Sequence, residues 1–132
     1  MSKRKRCPWM CIDDDSPFMM LFYDLLNSAA WRWLKPSARD IYINLRTLYY
    51  PLSGRDNTVK CSYTWINKRT GIRINSIRKY IYMLELSGLV EISMVGGRNS
   101  ATEYRFSAAW KEITEKDYPR LDAELDQFKR SH

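Results

Sequence analysis

Few side chains in this sequence are placed to do acid–base, nucleophilic or metal chemistry. Its one histidine, His132, is the last residue, so a Ser-His-Asp or Cys-His arrangement has no ordered base. The three cysteines, Cys7, Cys11 and Cys61, are an odd number, which fits reduced thiols better than a disulfide framework. Together with His132 they are poorly spaced for the usual zinc knuckle. Asp13, Asp14 and Asp15 are consecutive, and such carboxylates do not converge on one ion without a dedicated turn. No G-x-x-x-x-G-K run occurs, and Gly96-Gly97 opens no phosphate-binding helix. We therefore expect a binding protein: no catalytic residues, no metal, no cofactor and no small-molecule ligand.

Cations are plentiful, and their position matters more than their number. The chain carries 22 Lys and Arg against 15 Asp and Glu, a formal net charge of +7. Residues 60–105 hold eight of these cations against three Glu, whereas residues 106–132 hold five against six acids. An excess concentrated mid-chain is the footprint of a polyanion partner, although a merely solvated basic surface has the same composition.

Those cations need elements to hold them. At 132 residues, 45% hydrophobic and 14% aromatic, the chain can build one cored domain with short extensions. Apolar runs such as Met19 to Tyr23 are too short to span a bilayer. Pro8, Cys11 and the three Asp break up what would be a signal sequence, so a cytoplasmic location is expected. Residues 1–16, with the basic run Lys3 to Arg6, read as a flexible tail. Residues 17–110 then form the domain, and residues 111–132 a helical extension.

Within the domain, a helical turn capped near Asn27-Ser28 leads to an aromatic anchor, Trp31, Trp33 and Leu34. These tryptophans, with Trp65, suit a core better than a stacking platform for single strands. Pro36 opens a helix whose apolar stripe is Ala38, Ile41, Leu45 and Leu48, flanked by Tyr42 and Tyr49. Residues 58–61 read as a short strand. Ser62 then caps a helix that runs to Thr70 and stops at Gly71, and a longer helix spans about 75–87 and stops at Gly88. Residues 89–95 and 102–106 form a hairpin across the turn-rich Gly96 to Ser100. From Trp110 a last helix places Leu121, Leu125 and Phe128 on one face.

The two helices around Gly71-Ile72 make a candidate helix-turn-helix. On a helical wheel Ile77, Ile81 and Leu84 point inward, with Tyr80 at the margin. Asn75, Lys79, Tyr82 and Leu86 point outward, flanked by Ser76 and Arg78. A helix that reads DNA needs this division, because its first residues reach base edges while its back packs on the domain.

The runs Gly71-Ile72, Ile77-Arg78-Lys79, Leu84-Glu85 and Gly88-Leu89-Val90 resemble the winged helix-turn-helix superfamily. Ser28 to Leu34, Pro36 to Arg39 and Ala101 to Phe106 are similar to its small bacterial and phage-type members, linked to replication or transcription. The resemblance implies an α+β, mainly α fold: a three-helix core with a β-hairpin wing, flanked by N- and C-terminal helices. It also implies sequence-specific binding of double-stranded DNA, by a transcription regulator or a plasmid- or phage-type replication accessory. Arg73, Asn75, Ser76, Arg78, Lys79 and Tyr82 would face the major groove. Ser62, Tyr63, Lys68 and Arg69, with Arg98 and Asn99 on the wing, would hold phosphates. The alternative is a winged helix that docks on protein within a larger assembly. Two positions depart from the pattern. Arg73 stands where Ser usually caps the second helix, and Asn67 stands where a small Ala is common, so its amide must find a partner. A homodimer through Leu121, Leu125 and Phe128 is expected, since one small domain makes few base contacts.

Overall fold

Side chains that bond to backbone set most of the element boundaries. The computed structural model describes residues 19, 21–49, 57–96 and 100–131. It is α+β and mainly helical, with one small antiparallel sheet. The tail of residues 1–16 with Cys7 and Cys11, most of the loop after Tyr49, Arg98, Asn99 and His132 lie outside the described residues. No helix among the described residues is long and apolar enough to cross a membrane.

The first helical turn is two helices, α1 (Tyr23–Leu26) and α2 (Ala29–Trp33). Asn27 closes α1, and the Ser28 hydroxyl accepts from the Trp31 amide at 3.1 Å to open α2. The aromatic anchor is thus itself helical. Pro36 occupies the first turn of α3 (Pro36–Arg46), where its missing N–H costs nothing. The inward face of α3 is Ala38, Ile41, Tyr42 and Leu45. Tyr42 belongs to the core rather than its flank, its ring edge-on to Trp31 and Phe106 at 5.7 and 5.8 Å. Leu48 falls beyond the helix end and is exposed, so the apolar stripe is one turn shorter than its spacing predicts.

The expected hairpin of residues 89–106 is part of a larger sheet. Strands β1 (Thr58–Cys61), β2 (Val90–Met94) and β3 (Thr102–Phe106) form one sheet in the order β1-β3-β2. Pairing Val59 with Tyr104 and Cys61 with Thr102 sets buried residue opposite buried residue, so one face of both strands turns inward together. A strand of four residues gains its stability from this pairing and burial rather than alone. The register of β2 shifts between Ile92 and Met94, and there the Ser93 hydroxyl donates to Glu103 at 2.7 Å.

Helices α4 (Tyr63–Thr70) and α5 (Ile74–Leu86) follow the expected bounds to within a residue. The last helix does not begin at Trp110. Two 3-10 turns, Ala109–Glu112 and Glu115–Asp117, come first, and α6 runs from Tyr118 to Ser131. The delay has a local cause. Trp110 is held by its amide to the Gly88 carbonyl at 3.1 Å, and Thr114 and Asp117 form a reciprocal capping box. From there α6 folds back over the domain. The Tyr118 hydroxyl donates to the Ala29 carbonyl at 2.7 Å, and the Trp33 indole donates to Asp122 at 2.9 Å. Leu121 is 0% and Leu125 5% exposed. The stripe expected to meet a second copy is used inside its own chain, where each leucine contributes roughly 1.5–3 kcal/mol by burial.

Candidate nucleic-acid interface

The turn between α4 and α5 is built from side-chain bonds to backbone. Gly71 ends α4 in the left-handed conformation at φ 76°, which side chains other than glycine's resist. The Thr70 hydroxyl donates to the Ile66 carbonyl at 2.7 Å and accepts from the Ile72 amide at 3.1 Å. Asn67 finds the partner its position requires, as its amide donates to the Ile72 carbonyl at 2.8 Å. This bond fixes the angle at which α5 leaves the turn. Arg73 takes the cap position of α5 without a side-chain bond, which leaves its guanidinium exposed.

The inner face of α5 is Ile77, Ile81 and Leu84, as the wheel requires, with Met83 buried as well. Met83 lies toward the outward side, and its burial follows from the neighbours of α5: α3, α4, α6 and β2 all pack on it. Asn75 and Arg78 are exposed, while Ser76 and Lys79 are half-buried. The Lys79 ammonium rests 4.7 Å from the centroid of the Tyr80 ring. Tyr82 is not part of an open outer face. Its ring stacks on Phe128 of α6 at 4.4 Å, with 16° between the planes, and Leu86 packs against the core. The outward side of α5 is therefore covered in its second half, while its first half is exposed at Asn75 and Arg78 and half-buried at Ser76 and Lys79.

The proposed phosphate contacts divide in the same way. Lys68 is exposed in the last turn of α4. Arg69 is exposed but tethered, its guanidinium donating to the Asn44 side chain at 3.2 Å and lying 5.3 Å from the Trp65 ring. Ser62 spends its hydroxyl as the cap of α4, accepting from the Trp65 amide at 3.1 Å. Tyr63 is half-buried against the core. Its pKa is pushed up first by burial and further by Glu85, and is pulled back by the nearby Arg78 cation. The exposed set is thus Lys68, Arg73, Asn75 and Arg78, with Ser76 and Lys79 half-buried beside it.

A residue that sequence reasoning passed over joins this set. A cleft of about 530 Å³ lies between α5 and α6, lined by Asn75, Ser76, Arg78 and Lys79 on one side and Phe128 and Lys129 on the other. Lys129 had no visible link to the turn, being far away in sequence. The available signal was an outward aromatic, Tyr82, matched by an apolar stripe on α6 that ends in Phe128. Among the described residues, no group of three or more His, Cys, Asp or Glu gathers to hold a metal. Cys61 is a buried free thiol whose pKa burial raises to about 12, so it stays protonated at neutral pH. No family model, curated protein or solved structure matches this chain.

Proposed function

We propose that this chain is a winged helix-turn-helix protein that binds double-stranded DNA by sequence, with the first half of α5 in the major groove. One observation carries the reading. Arg73, Asn75 and Arg78 are exposed, with Lys79 half-buried beside them, at the start of a helix whose Ile77, Ile81 and Leu84 are buried in the core. Recognition helices use their N-terminal residues on base edges, so covering the second half of α5 costs the reading little. The order α3, β1, α4, α5, β2, β3, with β3 central in the sheet, supports the winged-helix assignment. In this arrangement Asn75 reads bases, and Lys68, Arg73, Arg78 and Lys79 meet phosphates. A regulator of transcription or an accessory of replication would use such a surface.

Selection from a random duplex pool tests the proposal, and it should enrich one sequence. Asn75→Ala should relax preference at a single position by roughly 1–3 kcal/mol. Lys68→Ala should weaken every sequence alike. No enrichment and no mobility shift would favour a winged helix that docks on protein instead.

A further inference from the structure

We propose that the cleft between α5 and α6 is a phosphate-binding site, in which Lys129 closes from α6 the cradle that Arg78 and Lys79 open from α5. Three of its six lining residues are cations. None of the three forms an ion pair among the described residues, although α6 and the turn before it are rich in acids. Asp117 and Glu124 are both engaged by Arg120, at 3.6 and 3.7 Å. Three cationic residues line one cleft, the Lys79 ammonium lying over the Tyr80 ring, and an anion bound there would ease their mutual repulsion. The arrangement also suits phosphate chemically. Arg78 offers a planar fork, the lysines act as point charges, and Ser76 adds a hydrogen-bond donor.

The helix start points the same way. The first amides bonded within α5, those of Ser76 and Ile77, both donate to the Arg73 carbonyl. The amides before them have no intrahelical partner and sit at the positive end of the dipole. The cleft is shallow and open to solvent on one side, so a phosphate that is part of a larger molecule can reach it. The phosphate could belong to a nucleic-acid backbone or to a free phosphorylated compound. The place of the cleft beside the first half of α5 favours the backbone, and to that extent the inference rests on the DNA reading above.

The test uses the full chain and two probes, inorganic phosphate and a short duplex. Phosphate at millimolar concentration should shift the amide resonances of Asn75, Ser76 and Lys79 in the wild type but not in Lys129→Gln. Duplex affinity should fall about two- to fivefold in Lys129→Gln, with the salt slope smaller by about one. Lys129→Arg should restore both, and Lys116→Gln, remote from the cleft, should change neither. Phosphate binding without duplex binding, or with duplex binding indifferent to Lys129, would uphold the site and assign it to a free phosphorylated compound. In the first of those cases the DNA reading would fall while the cleft stood. If phosphate moved none of these amides and the duplex slope were unchanged in Lys129→Gln, the cleft proposal would be overturned and the DNA reading would survive. Failure of both probes to bind would overturn both.

Discussion

Gly71 and Gly88 hold nearly the same backbone conformation, at φ 76° and 80°, for different reasons. A Cβ at Gly71 would meet nothing within 4 Å, so only the dihedral argues for glycine there. A Cβ at Gly88 would come within 2.7 Å of the Ala109 carbonyl carbon and the Trp110 nitrogen, both backbone. We expect Gly71→Ala to cost about 1–2 kcal/mol and Gly88→Ala to cost more, because Ala109 and Trp110 must move. Urea melts of the two variants check this, and equal losses would show that the close approach is unimportant. Glu85 makes a second prediction, about pH. Its carboxyl is half-buried, and desolvation raises its pKa above the ordinary 4.5. The folded state then holds this proton more tightly than the unfolded state does. The stability Glu85 contributes is fully present below its ordinary value and is lost as pH rises through the raised one. Glu85→Gln should abolish that loss and be the more stable protein at neutral pH. Denaturation midpoints across the acidic range decide it, and parallel curves for the two proteins would refute the assignment.

At the scale of elements, α6 is a brace. We expect Leu125→Ala to cost about 2–5 kcal/mol, as truncation in a packed core does. A double-mutant cycle on Tyr82 and Phe128 should give a coupling of about 0.5–1.5 kcal/mol. Zero coupling would mean that α6 is not docked on α5 in solution. The pieces legible in the sequence were those fixed by neighbouring residues: Ser62 as a cap, Gly71 and Gly88 as stops, and Ile77, Ile81 and Leu84 as an inner face. What was not legible depends on residues far apart in the chain. A helical wheel ranks the sides of α5 but does not know that Phe128 will stack on Tyr82, so it placed that tyrosine in the open. The β1–β3 pairing escaped for the same reason, since nothing within residues 58–61 names the partner strand. Trp110 misled more locally. It looked like a helix start but is held to Gly88, which delays α6 to Tyr118.

At the scale of the molecule, charge and packing point to one working surface. The C-terminal segment, acidic in balance, lends its leucines to the interior and brings Lys129 to the cationic cleft. Because Leu121 and Leu125 are buried, a second copy has no access to them while α6 stays docked. The central claim is that the exposed Lys68, Arg73 and Arg78, with the half-buried Lys79 beside them, meet the phosphates of a duplex. Its most direct test is duplex affinity measured against salt concentration on the full chain. Four or five contacts, Lys129 included, predict a log–log slope between about −3 and −5, at close to 0.9 per phosphate neutralised. A flat dependence, or no duplex binding even at low salt, would contradict the claim.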